Sequence, residues 1–247
     1  MKHANGIGRL AGLAVGMGIG AALAATPGVA SADDFQISID GMDLLPTAGN
    51  TATATSTMGD IAIAFGSGAN ATATGGFGDY ALADGAGSTA DVGSFGTSYL
   101  DAAIASGTNS LADGGYGYLD YASANGDSSI AGAGYGNGDV SIASGTDSGA
   151  LTGGVTINNT TEVPGNDDFA YALGPHTVAS ADALVDPSNP TASSNDVATV
   201  FDPLGTMGSE AYAGGGNFDL AAIFGDGFNT DLGAVGGNFL TDILPML

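Results

Sequence analysis

Aspartates recur along this chain at a nearly fixed step, and carboxylates in a row are the groups from which a hard-cation site is built. Asp60, Asp79, Asp101, Asp120 and Asp139 follow one another by 19, 22, 19 and 19 residues. Each sits at the second position of a short motif: GDIAIAFG from Gly59, GDYALADG from Gly78, LDAAIASG from Leu100, LDYASANG from Leu119 and GDVSIASG from Gly138. If successive repeats stack, the five carboxylates stand about one strand spacing apart, ~4.8 Å. Like charges that close repel, and calcium, which gathers carboxylate and carbonyl oxygens, would neutralise them. The five are therefore candidate calcium ligands. The alternative is that each opens a turn, its side chain accepting backbone amides. The register of GGFGDYALADG, residues 75–85, differs from the calcium-binding nonapeptide G-G-x-G-x-D-x-U-x. Asp79 follows Gly78 directly, and Asp120 lies three residues after Gly117.

Other chemistry is sparse. His176, in GPHTVAS, is the only histidine beyond His3, and beside Pro175 it reads as a loop residue. The pair Asp167-Asp168 has the residue types of a glycosidase, but the chain has no Trp to line a sugar cleft. There is no G-x-S-x-G elbow, and a phosphate loop lacks its lysine. Thr51, Thr53, Thr55 and Thr57, with Thr72 and Thr74, form T-x-T ranks of the kind that bind ice, yet a β-branched strand face accounts for them equally. The expectation is that the protein is not an enzyme and carries no cofactor, calcium excepted.

The elements that must position the aspartates follow from the alternation beside them. Ala62, Ala81, Ala103, Ala122 and Ser141 form one column, and Ala64, Ala83, Ala105, Ala124 and Ala143 the next on the same side, since strand side chains repeat with period two. The other side carries Ile61, Tyr80, Ala102, Tyr121 and Val140, then Ile63, Leu82, Ile104, Ser123 and Ile142. A turn glycine closes each run at Gly66, Gly85, Gly107, Gly126 and Gly145, and a second half-unit ends in a glycine-aromatic-glycine corner at GGFG, GSFG, GGYG and AGYG. The fold class is all-β: a β-solenoid, or β-roll, of stacked coils of ~19 residues with two short strands each. Alanine facing inward is the favoured assignment, and Ile and Leu facing inward is its rival.

The organisation divides into four parts. Residues 1–32 have a basic start, an apolar run and Ala30-Ser31-Ala32, the pattern of a cleaved secretory signal peptide. Residues 33–49, with FQISIDGMDLL, form an N-terminal capping segment. Residues 50–155 are the regular repeats. Residues 156–247 continue the solenoid irregularly, through DFAYALG, DVATVFD and DLAAIFG, with long loops at INNTTEVPGND and DPSNPTASSN and a C-terminal cap.

Charge narrows the partners. The chain holds 26 Asp and Glu against two basic residues, Lys2 and Arg9, both inside the signal segment. The exported part thus forms no Lys or Arg salt bridge, repels nucleic acid and is disfavoured at an anionic membrane surface. It has no cysteine, hence no disulfide, and no membrane-spanning segment is expected beyond residue 32. Cell-wall, glycan or host-protein ligands remain open. The oligomeric state is not set by the sequence.

GDIAIAFGSGANATATG and DAAIASGTNSLADGG resemble the repeats in the left-handed β-roll heads of trimeric autotransporter adhesins, over roughly residues 50 to 155 and on the grammar A-I-A-x-G-x-x-A-x-A-x-G. The step here is longer than theirs, and neither a heptad stalk nor a membrane β-barrel follows. The signal peptide, the Gly/Ala bias and the GNFL near the C-terminus resemble secreted glycine-rich cell-envelope proteins of mycobacteria, akin to the PGRS proteins but without a PE domain or GGAGG tracts. These resemblances imply a secreted or surface-held, structural, adhesin-like or host-interacting envelope protein. The alternative function is a calcium-dependent β-roll that folds on binding metal after export.

Overall fold

The computed structural model describes residues 34–44, 50–93, 97–153, 155–157, 161–163, 165–182, 194–203, 208–214, 218–225, 230–235 and 239–243. The expected signal peptide, the corner residue Phe95 and most of DPSNPTASSN lie outside them. Every regular element described is a strand, and the architecture is a β-solenoid.

Two long parallel sheets form its walls. The first contains β4 (Ile61–Phe65), β6 (Tyr80–Asp84), β8 (Ala102–Ser106), β11 (Tyr121–Asn125), β14 (Val140–Ser144), β19 (Phe169–Leu173), β21 (Val197–Phe201), β23 (Leu220–Phe224) and β25 (Phe239–Ile243). The second contains β3 (Thr53–Ser56), β5 (Asn70–Ala73), β7 (Thr89–Val92), β9 (Leu111–Asp113), β12 (Ile130–Ala133), β15 (Gly149–Gly153), β20 (Thr177–Asp182), β22 (Ser209–Gly214) and β24 (Thr230–Val235). The chain alternates between the walls, so each strand pairs with the equivalent strand one coil away. A third, short parallel sheet of β10 (Tyr116–Tyr118), β13 (Tyr135–Asn137) and β18 (Gly165–Asn166) occupies one corner. Two strands per coil is therefore the rule for the walls, and the middle coils add a third. The segment INNTTEVPGND is not wholly irregular: β17 (Thr161–Val163), inside it, pairs antiparallel with β16 (Val155–Ile157), which ends at its first residue.

The interior is alanine. In the first wall Ala62, Ala81, Ala103 and Ala122 stand in register and are fully buried, as are Ala64, Ala83, Ala105 and Ala124. The second wall answers with Ala71, Ala90, Ala112 and Ala131, also fully buried. Methyl groups line most of the interior of the regular coils, with Val92 on β7 a larger, fully buried exception. Near the C-terminal coils the columns widen to Val200 and Ile223, both fully buried. Ser141 holds a place in an alanine column because its hydroxyl is satisfied, donating to the Gly132 carbonyl at 2.8 Å and lying 3.1 Å from Thr152 Oγ1. With alanine inside, the Ile, Leu, Tyr and Val columns face outward.

The N-terminal segment caps the stack. β1 (Phe35–Ile39) runs antiparallel to β4 and forms a hairpin with β2 (Met42–Leu44), reversing the strand direction of the wall. It also closes the second wall, where Gln36 Oε1 accepts the Ala54 amide at 3.2 Å and Ser38 Oγ accepts the Ser56 amide at 3.1 Å. Side chains there substitute for the missing neighbouring strand, which blunts an edge open to pairing.

Candidate functional site: the aspartate ladder and its ridge

The five predicted aspartates stand in one column at the corner before the first wall, each at most 1% exposed. The backbone amide of Asp79 donates to Asp60 Oδ1, that of Asp101 to Asp79 Oδ1, that of Asp120 to Asp101 Oδ1 and that of Asp139 to Asp120 Oδ1, at 2.9–3.1 Å. The ladder then continues past the regular repeats: Asp168, Asp196 and Asp219 each donate an amide to the Oδ1 of the aspartate before, at 2.8–3.0 Å. The chain steps between these last residues are longer, yet the strand grammar places their aspartates in the same column.

The aspartate backbones join the parallel ladder at the same point. Tyr121 donates to the Asp139 carbonyl and Val140 to the Asp168 carbonyl, at 2.8 and 2.9 Å. Where the chain turns into a strand, the amide of each ladder aspartate after Asp60 is met by a carboxylate from the adjoining coil, and that of Asp60 by the Thr57 carbonyl. Aspartate suits this position because it is short and accepts without donating. Its role here is the turn role, extended from one coil to the next.

The second carboxylate oxygen is handled unevenly. Asp60 Oδ2 accepts from Thr57, and Asp79 Oδ2 from Ser98 at 2.6 Å. Oδ2 of Asp101, Asp120, Asp139 and Asp196 is buried with no hydrogen-bond partner. Burial penalises the charged form, so Asp79 rises from the usual carboxylate range, Asp101 rises to about 6, Asp139 and Asp196 to about 7 and Asp120 to about 8. Neighbouring carboxylates push Asp101, Asp120 and Asp196 the same way, while the amide hydrogen bonds oppose the rise. Protons thus relieve the repulsion that the spacing creates.

Calcium fits this arrangement poorly. One oxygen of each carboxylate is committed to an amide. The other is packed against glycine backbone: a Cβ placed on Gly117 would lie 2.8 Å from Asp120 Oδ2, and one on Gly153 the same distance from Asp139 Oδ2. Calcium needs six to eight oxygens around it. Among the described residues no group of three or more His, Cys, Asp or Glu converges to hold a metal ion.

The residue before each ladder aspartate has a left-handed backbone. Gly59, Gly78 and Gly138 occupy that position at φ +95°, +84° and +75°, and Leu100, Leu119 and Phe218 occupy it at +61°, +65° and +64°. For a bulky side chain this region is strained. Leu100, Leu119 and Phe218 are nonetheless 59%, 63% and 72% exposed. Beside Leu100 and Leu119 an aromatic column runs along the corner: Phe77 bridges to Tyr99 and Tyr99 to Tyr118, with the two tyrosine rings stacked at 5.0 Å. The sequence pattern equates Phe77 with Tyr116 as corner aromatics, but the register aligns it with Tyr99 and Tyr118, while Tyr116 stacks on Tyr135. The offset is two residues, because Gly78 directly precedes Asp79 whereas Tyr118 and Leu119 separate Gly117 from Asp120.

The opposite corner carries a column the sequence reading did not single out. Ser88, Ser110, Ser129 and Ser148 are buried, and each hydroxyl donates to the carbonyl of the turn glycine three residues before it, at 2.9–3.1 Å. Thr177 does the same to Gly174. The signal was present as G-x-x-S. His176 lies on this corner at φ +56°, exposed, with Nδ1 3.6 Å from Asp147 Oδ2. Thr53 and Thr55 face outward on β3 and pair with Asn70 and Thr72, and the next coil continues with Thr89 and Asp91, so the threonine rank ends there.

No family model, curated protein or solved structure matches this chain. Among the described residues no helix is long and apolar enough to cross a membrane.

Proposed function

We propose that this is an exported, non-enzymatic structural or adhesive protein of the cell envelope, a rigid scaffold that presents the corner ridge to a cell-wall, glycan or host-protein partner. The observation that carries this reading is the pair Leu100 and Leu119, apolar, exposed and held at a backbone conformation that glycine adopts at lower cost. Neighbouring coils use glycine at the same position, so the leucines are not required by the turn. Strain kept at an exposed position is a mark of contact residues. Flanking Phe77 and Tyr118, 61% and 56% exposed, extend the apolar surface. The uncharged stretch of the ridge at Leu100 and Leu119, before the same column reaches Asp167, also suits a protein that has no Lys or Arg beyond position 9.

The test is fractionation of the cells that make the protein, with Leu100→Gly/Leu119→Gly beside the natural sequence. Association with the envelope that falls at least ~10-fold in the variant, at unchanged or higher melting temperature, supports the reading. A protein found freely soluble, or one whose association ignores the double substitution, rejects it. The calcium-dependent roll is the second reading, favoured only by the four partnerless carboxylate oxygens.

A further inference from the structure

The outward face of the first wall is a different surface from the ridge. From β4 to β23 its third outward column, at the strand ends, holds Phe65, Asp84, Ser106, Asn125 and Ser144, while the first two run through residues such as Ile61, Leu82, Ile104, Ile142 and Tyr171 with no Asp or Glu. These side chains are half-buried by their neighbours in the stack, so what remains is a continuous, flat surface rather than isolated knobs. The outward face of the second wall differs: Asp91 and Asp113 are paired on it, and Glu210 follows. Among the described strands from β4 to β23, Asp84 is the one acid on the outward face of the first wall, against Asp91, Asp113 and Glu210 on the second.

We propose that two copies of this chain pair face to face through the outward surface of the first wall. Eight strands at ~4.8 Å and five residues at ~3.3 Å give roughly 600 Å² per copy. A pair then buries about 1,200 Å², the lower bound of a stable specific interface. The columns repeat along the stack, so the surface is self-complementary about a two-fold axis, as an isologous dimer requires. Two sheets meeting this way pack ~10 Å apart with side chains interleaved. Charge selects the same partner. Each copy carries a large negative excess, and this wall, whose one outward acid from β4 to β23 is Asp84 at the strand end, is where two copies meet with the fewest carboxylates opposed. A lipid surface finds no Lys or Arg beyond position 9 to hold its head groups. The pairing is independent of what the corner ridge binds.

Sedimentation velocity on the full gene product, purified as the expressing cell releases it, is the test over about 1 to 100 µM. The expected result is a monomer–dimer equilibrium. Ile104→Glu raises its Kd by at least about 30-fold, while Ile130→Glu, on the other wall, leaves it unchanged. A natural chain that stays monomeric throughout overturns the proposal. So does a dimer that survives Ile104→Glu or is broken by Ile130→Glu. Flotation of a monomer with phosphatidylcholine vesicles, abolished by Ile104→Glu, would assign the face to lipid instead. If Ile104→Glu loses its β-sheet circular dichroism, a spin label at Ser123→Cys replaces it. Intermolecular distances below ~20 Å support the pairing, and their absence, as for a segment of the same chain covering the face, refutes it.

Discussion

Asp120 and Asp139 are joined by a hydrogen bond in which a side chain takes the place of a backbone carbonyl: Asp120 Oδ1 accepts the Asp139 amide at 3.0 Å. The bond spans two coils at the corner where wall strands begin. Removing the acceptor by Asp120→Ala leaves a buried amide without a partner and costs about 1–3 kcal/mol at pH 5, where the natural carboxyl is protonated. Asp120→Asn keeps the acceptor and removes the charge. It is expected to be nearly neutral at pH 5 and stabilising by ~1 kcal/mol or more at pH 8.5, where the natural carboxylate is ionised beside glycine backbone. Urea denaturation at the two pH values distinguishes these outcomes, and a variant equally destabilised at both contradicts the charge argument.

The ladder as a whole makes the protein acid-stabilised. Its raised carboxyls bind protons more tightly in the fold than in the unfolded chain, so their contribution is whole below the ordinary value of 3.8. It is lost as pH rises through about 6 at Asp101, about 7 at Asp139 and Asp196 and about 8 at Asp120. Melting temperature is expected to climb on going from pH 8.5 to pH 5, by on the order of 10 °C. Repulsion among surface acids acts in the same direction but is screened by salt. Repeating the scan in ~1 M salt, where the Debye length is ~3 Å, separates the two, because the buried contribution persists. A flat profile in high salt would leave the ladder without its electrostatic role.

Much of this was legible before any coordinates. The period of the aspartates and the strict alternation with alanine give a stacked β architecture, and residues 33–49, with FQISIDGMDLL, read as a cap because the end of a repeat array needs a segment to cover its open edge. Which face was interior was harder to read, because alanine is tolerated both in water and in a thin core. Burial settles it: the alanine columns of both walls are fully buried, while the residues that alternate with them are not. The carboxylate-to-amide bonds were hidden for another reason. A column of acids looks the same in sequence whether it holds cations or amides, and only the direction of each oxygen distinguishes them. The third sheet escaped notice because its strands, such as Tyr135–Asn137, are too short to show alternation.

Calcium is expected to leave the fold unchanged. A roll held together by metal collapses when the metal is chelated, since ligation energy is then folding energy. Here the coil-to-coil bonds are made by amides, carbonyls and carboxylate oxygens already in place. Circular dichroism and melting curves in EDTA and in millimolar calcium should coincide. A rise in melting temperature with calcium, removed by Asp101→Asn and Asp120→Asn together, would return the ladder to metal binding.

The alanine core makes the sharpest distinction between the two sides of one strand. Ala105 and Ile104 are neighbours on β8, one fully buried between the walls and the other facing outward. Adding three carbons at Ala105→Leu enters an interior that is already closed: Ala105 is fully buried, with Ala83 and Ala124, also fully buried, beside it in register on the same wall. Overpacking of this kind costs about 1–3 kcal/mol in ordinary cores and more where both walls must part. Removing three carbons at Ile104→Ala takes away only half-buried surface, and an effect of about 1 kcal/mol is expected. The usual ranking of core and surface substitutions is therefore inverted by residue size: the small-to-large change is the damaging one. Chemical denaturation of the two variants measures it. An Ala105→Leu protein as stable as the natural chain would mean that the walls stand further apart than alanine alone can bridge.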